Sequence, residues 1–121
     1  MRPIPVLVVG ETPSLGRAVA DLLDSEGISH RLVYDVRSDG PTEHVADRYT
    51  AVIVACNEQY CVTARLRARG GVPGVALVIV GSRDPILSKL SGVRVIPLPL
   101  RPGPFLAEVN SLLARTAPVP R

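Results

Sequence analysis

The residues of this chain whose types could do chemistry are few and widely spaced. Gly10-Glu11-Thr12-Pro13-Ser14-Leu15-Gly16 follows an aliphatic run and puts a glycine at each end of a short polar turn. Such a turn between a strand and a helix is where backbone amides gather round a phosphate, with Asp35 further on as the carboxylate for a ribose. That reading makes the chain a small Rossmann-like, NAD-binding domain. Against it, the middle glycine of G-x-G-x-x-G is missing, and Pro13 has no N–H where backbone must approach a pyrophosphate. Cys56 and Cys61 lack a second cysteine pair and a neighbouring His, so zinc is not expected and no base is placed to activate a thiol nucleophile. Cys56 reads as a reduced, small apolar filler at the end of a strand. His30 and His44 stand outside any Ser or carboxylate constellation and read as surface residues. Thr12 and Ser14 read as helix-start residues rather than nucleophiles.

Composition narrows the classes further. The chain has 121 residues, 46% of them hydrophobic but only 3% aromatic, which is enough for one ordered domain with a Val, Leu, Ile and Ala core. The net charge is +3, yet the basic residues are dispersed except for Arg65, Arg67 and Arg69. Their spacing does not make one helical stripe, and no aromatics interleave with them for base stacking, so nucleic acid is expected only through a separate output domain. No apolar stretch approaches a membrane span, and Arg2 and Pro3 lead at once into a strand; the expectation is a cytoplasmic protein without a cofactor.

These residues need a frame, and the frame is legible. Continuous aliphatic runs predict buried strands over Pro5 to Val9, Arg31 to Val36, Ala51 to Cys56, Val75 to Val80 and Val93 to Ile96. Between the first two, Leu15, Val19, Leu22 and Leu23 fall at helical spacing, with Thr12 as cap, Pro13 in the first turn and Gly27 at the end. Short helices are predicted over Pro41 to Arg48 and Gln59 to Arg69, about two turns over Asp84 to Leu90, and a final helix over Pro104 to Arg115 buries Phe105, Leu106, Val109, Leu112 and Leu113. Strands alternating with helices predict an α/β, three-layer, doubly wound sandwich. Its five-stranded parallel sheet would run in the order 2-1-3-4-5, flavodoxin-like, with any site at the carboxyl ends of strands one and three. Residues 1–115 form the single domain on this reading and 116–121 a tail or linker.

Four stretches in this order resemble the response-regulator receiver family over nearly the whole chain. "VLVVGETPSLGRAVADLL" is similar to the first strand, acidic pair, proline and leucine-rich helix of receivers, with Gly10 and Glu11 on the acidic pair. "YTAVIVACN" resembles their third strand, with Ala55 on the phosphoacceptor aspartate and Asn57 on the position whose carbonyl helps hold the metal. "LVIVGSRD" puts Gly81 on the hydroxyl position and Ser82 beside it. "VIPLPLRPGPFLAEVNSLL" looks like the lysine segment, with Leu98 on the lysine, Pro99 on the proline after it and Leu98–Pro99 as a candidate cis peptide.

Receiver phosphorylation needs a carboxylate nucleophile, carboxylates for Mg²⁺, a hydroxyl and a cation. Ala55 cannot be phosphorylated, Glu11 supplies one carboxylate, and Gly81 and Leu98 remove the hydroxyl and the cation. Losing anion and cation together avoids an unpaired buried charge. By period-two alternation, Cys56 points to the face opposite Ala55, and Ala55 is expected to pack with Leu98. The resemblance therefore implies a pseudo-receiver, a phosphorylation-independent signalling or interaction module rather than an enzyme. It would engage a protein partner or a second copy through the face of the fourth helix, fifth strand and fifth helix, from Ile86 through Val95 and along the exposed side of Pro104 to Arg115.

Overall fold

A computed structural model of the protein describes residues 5–34, 49–61, 76–90 and 93–116. Among the described residues five strands, β1 (Val6–Gly10), β2 (His30–Val33), β3 (Ala51–Ala55), β4 (Ala76–Val80) and β5 (Val93–Ile96), form one sheet in the order β2-β1-β3-β4-β5. Every pairing is parallel. The fifth strand has the predicted bounds; the first is shifted by one residue, the second begins at His30 and ends at Val33, the third ends at Ala55, and Val75, the predicted start of the fourth, lies outside the described residues. The second and third predicted helices fall largely outside the described residues. Gln59 and Tyr60, which the prediction put in a helix, form bends instead, because they belong to a ring closed by Cys56 and Cys61.

Helix α1 (Pro13–Ser25) begins where its sequence signals put it. Pro13 occupies the first turn, and the Gly16 N–H makes the first helical bond, to the Thr12 carbonyl at 2.9 Å. Its end is a Schellman pattern: Gly27 N–H bonds to Asp24 O at 3.0 Å and Ile28 N–H to Leu23 O at 3.0 Å, while Ile28 joins the core beside Leu23. Helix α2 (Pro102–Thr116) starts two residues before the predicted Pro104. Pro102 and Pro104 both fall in the first turn, where their missing N–H groups are not needed, and Phe105 N–H closes the first bond to Arg101 O at 3.0 Å. The helix also runs through Thr116, which the sequence reading put in the tail. The predicted two turns over Asp84 to Leu90 reduce to one 3₁₀ turn, Leu87–Lys89.

Alternation along the strands sorts the core. Val6, Val8, Ile53, Ala55, Val78 and Val80 pack with Val19 and Leu23 of α1 and with Phe105 and Val109 of α2, so both helices cover one face. Leu7, Val9, Val52, Val54 and Ile79 lie on the other face with Tyr49, Cys56, Cys61 and Leu87. Both faces are buried, which is why the strands read as unbroken aliphatic runs.

Candidate functional site: the carboxyl end of the sheet

The register brings the predicted site residues to one end. Gly10 pairs with Ala55, Ala55 with Val80, and Val80 with Ile96, making a row across the last residues of four strands. Glu11, Asn57, Gly81 and Leu98 follow within two residues of that row. The structure thus gathers the eight positions singled out from the sequence.

What it builds there is apolar at its centre, with Ala55 and Gly81 buried and Asn57, Leu98 and Pro99 exposed at its margin. Ala55 is fully buried in the core cluster against which Leu15 packs. A Cβ on Gly81 would lie 2.8 Å from Leu15 Cδ2, 3.3 Å from Leu98 Cγ and 3.3 Å from the Cys56 carbonyl. Leu15 and Leu98 therefore stand over Gly81. Gly81 has φ 84°, which disfavours any residue carrying a hydroxyl side chain at that position, and its N–H is held by Ile96 O at 2.7 Å. The expectation that Ala55 packs with Leu98 is modified accordingly: Leu98 covers Gly81 and stays 40% exposed, while Leu15 packs against the cluster around Ala55. The Leu98–Pro99 peptide is cis, as the resemblance implies.

The first turn is equally occupied. An added Cβ on Gly16 would sit 2.6 Å from Gly10 Cα, and one on Gly10 would meet the Tyr34 ring at 3.3 Å. The two glycines are there so that α1 can lie directly on the end of β1, with Tyr34 packed over the contact. Thr12 N–H donates to Ala55 O at 2.9 Å, so this amide is not aimed at a ligand. Asp35, the ribose carboxylate of the dinucleotide reading, lies outside the described residues, as do His44 and the three spaced arginines.

Thr12 stands at the N-cap position but makes no side-chain cap bond. Its Oγ1 instead accepts the Asn57 N–H at 2.8 Å, tying the loop after β3 to the loop after β1. Asn57 thus contributes an N–H to this end of the molecule. Thr12→Val is expected to cost about 1 kcal/mol, the net value of one such bond, read as a lower urea midpoint with an unchanged slope.

Two predictions about single residues are corrected. Cys56 is not reduced: its sulfur is bonded to that of Cys61, across a Cα–Cα distance of 6.1 Å, and both residues are fully buried. Cys56 does lie opposite Ala55, as alternation requires. His30 is not a surface histidine; its side chain is 10% exposed, with Nδ1 3.0 Å from Ile28 O and Nε2 3.7 Å from Asp24 Oδ1.

Asp84, which the sequence marks only as the start of a short helix, is 3% exposed. Its Oδ1 accepts the Ile86 N–H at 3.1 Å and its Oδ2 the Cys61 N–H at 3.4 Å, while its own N–H donates to Ser82 Oγ at 3.0 Å. Ser82, beside the hydroxyl position of the resemblance, is therefore engaged with Asp84, and it also lies 3.7 Å from Cys61 Sγ. The available signal was Asp followed by Pro, an Asx-turn start that braces its own backbone two residues on.

Beside this end, β5 forms an edge of the sheet. A groove of about 420 Å³ lies between it and α2, floored by Ile96 and Phe105 and rimmed by Arg94, Leu98, Arg101 and Glu108. Arg94 reaches Glu108 at 3.2 Å across it. Ile86 and Leu90, flanking the 3₁₀ turn, are 49% and 38% exposed. Among the described residues, no three His, Cys, Asp or Glu side chains stand close enough to hold a metal, and no helix is long and apolar enough to cross a membrane. Comparison with protein-family models, with curated proteins and with solved structures finds no match.

Proposed function

We infer that this chain is a pseudo-receiver: a cytoplasmic, doubly wound, flavodoxin-like signalling domain that acts through protein contacts without being phosphorylated. The observation that carries this reading is the end of the sheet itself. The 2-1-3-4-5 parallel order brings Gly10, Ala55, Gly81 and Leu98 together. All four are neutral residues at the positions where the resemblance implies the acid, the phosphoacceptor, the hydroxyl and the lysine. An acyl phosphate formed there would have neither a carboxylate to carry it nor a cation to meet it. Burial of both sheet faces supports the three-layer arrangement.

The partner surface in this reading is the edge formed by the segment around Ile86 and Leu90, strand β5 and the exposed side of α2. Exposed apolar side chains next to paired charges suit a protein interface better than a small-molecule pocket.

Titration of the protein with Mg²⁺ and incubation with acetyl phosphate test the proposal together. The expected result is no saturable heat at millimolar Mg²⁺ and no phosphoryl gain in the intact mass. Tight Mg²⁺ binding together with acid-labile phosphorylation would overturn it.

A further inference from the structure

We propose that Cys56 and Cys61 form a reversible dithiol–disulfide site whose state is transmitted to the turn carrying Ile86 and Leu90. This inference is independent of the receiver reading, since it rests on the cysteines, Asp84 and their hydrogen bonds alone.

The bridge is a poor candidate for a structural staple. It joins residues only five apart in sequence, and short rings restrict the unfolded chain least. The rest of the core on that face is supplied by the strands themselves, through Leu7, Val9, Val52, Val54 and Ile79.

The surroundings accept both oxidation states. While bridged, Cys61 Sγ has no proton, so its 3.5 Å approach to Glu58 O is a contact, and the Ser82 hydroxyl 3.7 Å away is the group able to donate to it. Once reduced, the same sulfur carries an S–H with an acceptor already in place at Glu58 O or Ser82 Oγ. Neither state leaves a buried polar group on Cys61 without a partner.

The route outward is short. Cys61 N–H bonds to Asp84 Oδ2, and the other oxygen of that buried carboxylate holds the Ile86 N–H at the start of the segment that ends in Leu90. The ring also meets β4's end through Cys56 N–H on Val80 O at 3.0 Å and Arg83 N–H on Glu58 O at 3.4 Å. Opening the bridge frees Cys61 from its covalent anchor, weakens its bond to Asp84 and loosens the brace on Ile86. The sulfurs are buried, while residues 57–60 between them are exposed, so access requires this ring to open rather than the core to unfold.

The co-reactant is a dithiol. Its thiolate attacks one sulfur of the bridge, forming a mixed disulfide and releasing the other cysteine as a thiolate. The donor's second thiol then displaces the remaining cysteine, leaving Cys56 and Cys61 as thiols and the donor as a cyclic disulfide, with two electrons and two protons transferred.

The test uses the whole chain equilibrated in reduced and oxidised dithiothreitol at a series of ratios, followed by acid quench, alkylation and intact mass, with amide exchange measured at the two extremes. The expected result is full interconversion while α1 stays protected. Exchange over 84–90 should rise about tenfold on reduction, the factor that accompanies loss of one hydrogen bond to a carboxylate. Asp84→Asn should still interconvert but lose most of the difference in exchange over 84–90. Absence of the bridge at every ratio, reduction only when α1 and α2 unfold with it, or equal exchange over 84–90 in both states would each overturn the proposal. Cys56→Ser with Cys61→Ser should reproduce the exchange of the reduced protein. Reduced wild-type protein carries the same measurement should that variant fail to fold.

Discussion

Ala55→Asp is expected to destabilise the protein by about 4 kcal/mol at neutral pH, the scale for an uncompensated charge at a buried position. On the proposed pseudo-receiver reading, this substitution places a phosphoacceptor-type residue at the phosphoacceptor position. Here the site is fully buried, and its surroundings are Leu15, Ile53 and Val80. The same end of the sheet carries Glu11, whose like charge does nothing to offset the new carboxylate. The effect has a defined pH signature. Burial raises the folded-state pKa of the introduced acid above its unfolded value of about 3.9, so below that pH the group is neutral in both states and the charge penalty vanishes. Stability relative to wild type then falls as pH rises from about 3.9 to the raised folded pKa, because the unfolded chain binds fewer protons there. Adding Leu98→Lys in the same chain should recover about 1 kcal/mol, since Leu98 stands over Gly81, the residue after Val80, which pairs with Ala55. Urea unfolding of the four members of this cycle at pH 3.5 and pH 7 reads both effects. No coupling between the two substitutions would show that Leu98 does not occupy the position of a cation.

Gly16→Ala should cost about 3 kcal/mol, the upper part of the usual range for overpacking. The new methyl would lie 2.6 Å from Gly10 Cα, and neither the helix nor the strand end can yield locally as a flexible side chain would. In an exposed helix the same change would be mildly stabilising, because Ala is the better helix former. The sign of the measurement therefore separates the two roles of this glycine. A stability equal to or above wild type by urea denaturation would mean that α1 does not rest on β1 as described. Millimolar NAD is expected to leave the melting temperature of the wild-type chain unchanged, because Pro13 has no N–H to offer a phosphate and the Thr12 N–H is held by Ala55 O.

The frame was readable because its signals are local. Unbroken Val, Leu and Ile runs, Pro13 at a helix start, Gly27 at its end and apolar positions at helical spacing each report a backbone preference or a burial pattern within a few residues. Helix boundaries near prolines were read less well: α2 begins at Pro102 because a helix tolerates proline throughout its first turn, not only at one position. The short 3₁₀ turn replaced two helical turns because Asp84 spends its carboxylate on Ile86 and Cys61, bracing a turn instead of capping a helix.

The candidate site divides the same way. From sequence alone came the parallel sheet and its strand order, through aliphatic runs alternating with helical segments, while the receiver resemblance singled out the neutral residues Gly10, Ala55, Gly81 and Leu98 at one end of it. Only the tertiary structure decided that Gly10 and Gly16 serve helix-on-strand contact, that Thr12 bonds across to Asn57 instead of capping α1, and that Cys56 and Cys61 are joined beside a buried Asp84. The reason is distance. These interactions depend on where two segments stand in space to within an ångström, and no propensity or spacing along the chain carries that information.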